Sequence, residues 1–377
     1  MSTWTTKKLG ETGDWVSGGT PSTSNPEYWD GDIPWISSKS LTDFNIRDSD
    51  RHLTEKGVRS GTKLVSEDTI LMVVRGMSLK SEFRMGIARR EVALSQDLKA
   101  LKPHKELDPL FLAYALRART AEVLDMVDEA GHGTGRLQTD RLFSLEITFP
   151  EDLDEQRDIA ASLGALDDKI ESNRHAIDLA ESLADALFMN ADRTTAKLSD
   201  VSTIVMGSSP PGDTYNEDGD GMPFYQGVRD FGRRYPRLRI WTTGPVRIAE
   251  VDDTLISVRA PVGSLNRAGT PCCIGRGVAA ARSETPSTLY YALRAAQALW
   301  EPFQQEGTVF GAINRDDLNN AAISWPLKID VVEPALACLD ARIQSLSTEI
   351  QLLVAERDTL LPELLSGRIR VPVGAAA

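Results

Sequence analysis

Two stretches of the chain place apolar residues in a strict alternation of four and three positions. The first runs through Ile159, Leu163, Leu166, Ile170, Asn173, Ile177, Ala180, Ala184 and Leu187; the second runs through Val332, Leu336, Leu339, Ile343, Leu346, Ile350, Leu353, Arg357, Leu360 and Leu364. A mean spacing of 3.5 residues is the coiled-coil signature. A seam of this kind is unstable alone in water, so the economical reading is two long helices of one chain paired antiparallel. Asn173 interrupts the first seam where Leu346 continues the second. It either fixes the register of the pair or sits solvated at a frayed point.

Elsewhere the pattern is short and strand-like, over residues 69–74, 91–101, 246–251 and 254–258, with Asp30-Gly31, Asp218-Gly219 and Asp220-Gly221 as turn signals. Helical runs are predicted over 109–127 and 287–305, which makes each half α+β. The two halves repeat. Lys8-Leu9, Gly18, Pro21 and Pro34-Trp35 match Lys197-Leu198, Gly207, Pro210 and Pro223-Phe224 at an offset of 189. Asp68-Thr69 and Arg75 match Asp253-Thr254 and Arg259. Gly131, Gly135, Asp140, Leu142, Ile147 and Pro150 match Gly307, Gly311, Asp316, Leu318, Ile323 and Pro326 at an offset of 176. The helical seams coincide at an offset of 173. The predicted organisation is a domain over 1–150, a helix over 151–190, a second domain over 191–327, a second helix over 328–368 and a flexible tail over 369–377, with a pseudo-twofold internal repeat.

The net charge of -13 argues against nucleic acid until it is located. Residues 151–190 hold 3 Lys and Arg against 11 Asp and Glu, which is -8 of the total, so both domains are close to neutral and free to present a basic face. Cys272, Cys273 and Cys338 cannot make a disulfide framework, and His52, His104, His132 and His175 lack ligand spacing, so no metal is expected. The absence of a long apolar run or a secretion signal points to the cytoplasm and away from a membrane.

Several segments together resemble the specificity subunits of Type I restriction-modification enzymes, over essentially the whole chain. They are Lys8-Leu9 with Gly18-Gly19-Thr20-Pro21 and Ile33-Pro34-Trp35-Ile36-Ser37; Ile147-Thr148-Phe149-Pro150 leading into Glu155-Gln156-Arg157-Asp158-Ile159 and Leu166-Asp167-Asp168-Lys169-Ile170; and Leu364-Leu365-Ser366-Gly367-Arg368-Ile369. The second helix opens Asp330-Val331-Val332-Glu333-Pro334, without the Glu-Gln-Arg entry. The resemblance implies two target-recognition domains separated by an antiparallel coiled coil, and a non-catalytic subunit that reads a bipartite DNA site. It also implies partners: two methyltransferase subunits, which bind S-adenosylmethionine and methylate adenine N6, and a motor-nuclease restriction subunit. Glu155, Gln156, Arg157 and Asp158 are the candidate partner-binding residues. The acidic helix faces those partners, repels DNA phosphate or is simply solvated.

Candidate DNA contacts cluster in the divergent middles of the halves. Arg229, Arg233, Arg234, Arg237 and Arg239 form the densest positive group; Arg75, Lys80, Arg84, Arg89 and Arg90 surround two glycines; Ser37, Ser38 and Lys39 follow Pro34-Trp35; and Arg259 matches Arg75. The segments from Gly131 to Gly135 and from Gly307 to Gly311 lack nucleotide-binding motifs and read as turns, touching DNA backbone through Thr134 and Arg136 or through Asn314 and Arg315. The seam from Ile159 to Leu187 would span roughly 43 Å at 1.5 Å per residue, or roughly a dozen base pairs. Catalysis has weak support. The Pro-Pro motif that grips a flipped adenine is missing, and Asp97-Leu98-Lys99 meets nuclease spacing only loosely. A coiled-coil scaffold that binds only protein would not need two divergent domains carrying arginine clusters.

Overall fold

The apolar run Ile70–Val73 forms a strand buried on both faces. It lies at the centre of a five-stranded sheet in a computed structural model that describes residues 3–130, 134–304 and 311–371. The sheet order is Gly13–Ser17, Leu98–Pro103, Ile70–Val73, Met85–Ala88, Asn45–Ile46. Helix Pro109–Ala118, capped by the Asp108 carboxylate on the Phe111 amide, buries Phe111, Leu112 and Leu116 in the same core. A second sheet, of four strands, contains a parallel pair in which Trp29–Ile36 runs beside Val92–Leu94.

Two units make up the chain: residues 1–171 with 351–377, and residues 172–350. The second unit is built on the same frame. Thr254–Ser257 takes the place of Ile70–Val73, and Met222–Tyr225 runs parallel to Cys272–Ile274 as Trp29–Ile36 does to Val92–Leu94. The matched glycines show what the repeat preserves. A Cβ on Gly18 would lie 2.2 Å from the Ser95 carbonyl oxygen, and one on Gly207 would lie 2.1 Å from that of Gly275. The next residue donates its amide to the neighbouring strand in both cases, Gly19 to Leu94 and Ser208 to Ile274, each at 2.9 Å. Only a residue without a side chain allows that approach.

Several predicted elements divide. The run 91–101 breaks at Ser95, whose carbonyl and hydroxyl accept the amides of Leu98 and Asp97, so its two pieces enter different sheets. The run 109–127 breaks at Arg119, where the Thr120 hydroxyl caps the Arg117 carbonyl; a short helix Thr120–Asp125 and a strand Val127–Ala130 follow. The run 287–305 is helical over Pro286–Ala295 and then tightens to 3-10 turns over Gln297–Phe303, where Pro302 offers no amide. Of 246–251, only Ile248–Ala249 pairs as strand. Asp30-Gly31 is no turn between strands. It is a bulge inside Trp29–Ile36, with Asp30 at φ 62° and a register shift before Ile33.

The long helices run over Leu153–Asn190 and Ile329–Leu365. In the first unit Ile159 and Leu163 share a core with Leu361 and Leu364. In the second, Ile177 and Ala180 pack with Ile343 and Leu346, and Ala184 lies in one cluster with Leu336. Rising numbers on one helix meet falling numbers on the other in each unit, so the segments are antiparallel. The first seam ends differently from its prediction. Leu187 is exposed and Phe188 is buried, because Ala184 and Phe188 enter the core of the second unit, where the ordinary helical spacing resumes.

Asn173 is 2% exposed and its Nδ2 has no hydrogen-bond partner among the described residues. An unsatisfied buried donor costs about 1–3 kcal/mol. Asn173→Leu, which restores the residue type of Leu346, is therefore expected to raise the denaturant midpoint by the equivalent of about 1–2 kcal/mol. A lowered midpoint would show that the amide supports the helix pair.

Candidate nucleic-acid interface

Three segments converge in the first unit. Residues 37–40 leave strand Trp29–Ile36 in a turn braced by its own hydroxyls: Ser37 Oγ accepts the amides of Lys39 and Ser40, and Ser40 Oγ accepts that of Ser37. Arg84, paired with Glu82 at 2.8 Å, donates to the Ser38 carbonyl at 3.3 Å and holds the turn in place. Strand Arg75–Gly76 lies against it, with Ser38 Cβ 3.5 Å from where a Cβ on Gly76 would be. Strand Thr134–Leu137 completes the group, pairing Gly135 with Gly76 and Arg136 with Arg75.

Ser37 and Arg84 are thus committed to shaping the turn, and Lys39, Arg75, Lys80 and Arg136, all exposed, have no ion pair among the described residues. Arg75 and Arg136 stand directly opposite each other across the strand pair, and neither has an acidic partner among the described residues. Like charges so placed repel, and an anion between them converts the repulsion into attraction. Thr134 is half-buried beside Gly131, His132 and Gly133, which lie outside the described residues, as does Gly307.

In the second domain the equivalent turn is 226–230, after strand Met222–Tyr225, and Arg259 bridges to Ala312 as Arg75 does to Arg136. The arginine cluster read from the sequence separates here into different roles. Arg234 is buried and donates to Asp340, with its guanidinium 4.4 Å from the Tyr290 ring centre; it is a packing element and does not face solvent. Burial, the largest single influence, opposes its charge, but the Asp340 carboxylate together with Tyr290, Tyr291 and Tyr235 raises its pKa on balance. Arg233 is tied to Asp178 and Glu181 of the first long helix. Arg239 pairs at 2.8 Å with Asp230, whose side chain is 2% exposed. Arg229 and Arg237 are left as exposed cations without an ion pair among the described residues. Asn314 spends its side-chain oxygen capping helix Arg315–Asn320, on the amides of Asp316 and Asp317, and Arg315 is exposed beside it.

Both domains are fastened to a long helix by a buried carboxylate. In the first unit Asp167 accepts from the Tyr114 hydroxyl at 2.8 Å, from Arg117 at 2.9 Å and from Arg357 of the second long helix at 2.7 Å. Burial first, and the Asp167 charge second, push the Tyr114 pKa well up, so the phenol stays a donor. In the second unit Asp340 accepts from the Tyr291 hydroxyl at 3.1 Å and from both Arg234 and Arg267. Asp340 follows Asp167 at the offset of the two seams, and Tyr291 follows Tyr114 at the offset of their helices.

Residues 1–181 match the family described as Type I restriction modification DNA specificity domain. A type I restriction enzyme specificity subunit, MjaX, of Methanocaldococcus jannaschii is 28% identical over 306 residues, 73% of this chain and 72% of that protein. A type I specificity subunit of Escherichia coli is 33% identical over 153 residues, 40% of this chain and 38% of that one. The crystal structure of the S subunit of a type I restriction-modification system from M. genitalium superposes with a TM-score of 0.65 at 18% identity, covering 96% of each chain, and so shares the fold. Over residues 1–181 the chain belongs to the type I DNA specificity-domain family. Its members are DNA-recognition components of restriction-modification systems and are not themselves catalytic.

The family's Glu-Gln-Arg-Asp entry to the first long helix is only partly available for contacts. Gln156 is fully buried; it donates to the carbonyls of Pro150 and Glu106 and accepts the Asp108 amide at 2.7 Å, so it joins helix to domain and is not a partner-facing residue. Arg157 is exposed and pairs with Asp154, while Glu155 and Asp158 are half-exposed. Asp340 escaped the sequence reading. The signal for it was an acid recurring at the offset of the two seams, one position past Leu166 and Leu339.

Proposed function

We propose that this chain reads a bipartite, asymmetric duplex DNA site, one half with each recognition domain, and positions two methyltransferase subunits, and a motor-nuclease subunit, upon it. The observation that carries the reading is one frame with two chemistries. The turn at 37–41 and the turn at 226–230 follow equivalent strands, yet one offers Ser38 and Lys39 and the other offers Gln226 and Arg229. Lys39, Arg75, Lys80 and Arg136 would meet the backbone or bases at one half-site; Arg229, Arg237, Arg259 and Arg315 would do so at the other. The long helices would set the gap. S-adenosylmethionine would be bound by the methyltransferase subunits, with adenine N6 as the methyl acceptor. No helix among the described residues is long and apolar enough to cross a membrane, and a cytoplasmic site of action accords with DNA as the ligand.

The first long helix is the surface offered to the partners. Leu179, Leu183 and Leu187 recur every fourth residue and are 58%, 52% and 39% exposed, an apolar stripe that a fully solvated helix face would not carry. Glu155, Arg157 and Asp158 supply polar contacts nearer its start. Mapping modified adenines in a genome that carries the complete system tests the whole reading. The expected pattern is one interrupted motif with a modified adenine in each half. Modification independent of sequence, or a single uninterrupted motif, would overturn it.

A further inference from the structure

A cleft of about 460 Å3 opens beside the turn of the second recognition domain, lined by residues 226–230 with Arg239, Ala260 and Pro261. At its rim stand two side chains with unused hydrogen-bonding groups. The Gln226 amide and the Arg229 guanidinium are both exposed and make no hydrogen bond among the described residues. Beneath them the turn is held by a charge. Asp230 accepts the Gln226 backbone amide at 2.7 Å and the Arg239 guanidinium at 2.8 Å. In the first domain the same place in the frame, at the offset of 189, is filled by Leu41, and both residues are 2% exposed. The second turn is therefore pinned by an ion pair where the first is pinned by apolar packing, and its tip is presented in a fixed geometry.

We infer that Gln226 and Arg229 are the specificity-determining pair for the second half-site, Gln226 reading an adenine and Arg229 a guanine in the major groove. This rests on the DNA-reading function proposed above. A side-chain amide offers a donor and an acceptor side by side, which matches adenine N6 and N7; a guanidinium offers two parallel donors, which match guanine O6 and N7. Neither group is spent on the fold. Asp230 is a positioning residue that reaches the base only through Gln226.

The test is selection from a randomised duplex pool by the full chain assembled with its methyltransferase subunits, using wild type, Gln226→Ala and Arg229→Ala. Each variant is expected to lose discrimination at one base pair of one half-site, by roughly 5- to 150-fold, while the other half-site and the gap are retained. Wild-type enrichment of an interrupted motif that both variants reproduce unchanged would overturn this assignment alone. Failure of the wild type to enrich any interrupted motif would overturn it together with the proposed function. Relaxation at every position equally would show the pair to be phosphate contacts, and would also overturn it.

Discussion

Asp340→Ala is expected to destabilise the second unit by about 3–5 kcal/mol, the loss typical of removing one partner from a buried ion pair. Arg234 and Arg267 both donate to this carboxylate, and their side chains are 3% and 4% exposed. Without it two guanidinium groups stay buried with less close acids, Asp252 at 3.2 Å from Arg267 and exposed, and Glu181 at 4.0 Å from Arg234. The Tyr291 hydroxyl loses its acceptor as well. Replacing the whole group by Arg234→Met, Arg267→Met and Asp340→Leu removes the stranded charges and should recover most of the loss, since a buried pair gains little over well-packed apolar residues. Hydrogen exchange at Leu289 and Leu293, in the core of that unit, reads the effect locally. Exchange rates unchanged in Asp340→Ala would refute the lock.

Removing Arg75 and Arg136 together should weaken binding to every DNA sequence by a similar factor, about 1–3 kcal/mol in all, and lower the salt slope of log K by about 0.9, the value for one shared phosphate no longer neutralised. The opposed placement of the two cations favours a shared anion over two base edges. Weakening confined to one base position would contradict that. Arg75→Ala alone relieves a repulsion in the free protein, so its denaturant midpoint should hold or rise slightly. A clear fall would mean that Arg75 serves the fold.

The frame was legible where it depended on period and on backbone approach. The heptad seams need only a count of apolar positions, and Gly18 and Gly207 mark the same tight approach in both halves. Elements that end because of a single hydrogen bond were not legible: nothing in the apolar pattern places a break at Ser95 or at Arg119. Leu187 was assigned to the seam because a period does not reveal that the recognition-domain core claims Phe188 instead. The arginine cluster shows the sharpest limit. Composition ranks Arg229 and Arg234 alike, but burial makes one a candidate reader and the other a structural cation, and burial is decided by Asp340, more than a hundred residues away. Gln156 repeats the lesson, since a family motif marks a residue as constrained without saying whether the constraint is internal.

The Asp167–Arg357 ion pair joins residues 190 positions apart, and Leu361 and Leu364 fill the core of the domain that begins the chain. During synthesis residues 1–171 therefore emerge unsealed, and residues 172–350 follow before Arg357, Leu361 and Leu364 arrive. The apolar gap beneath Ile159 and Leu163 stays open throughout that interval, which makes the first domain the one that needs protection from aggregation on the ribosome.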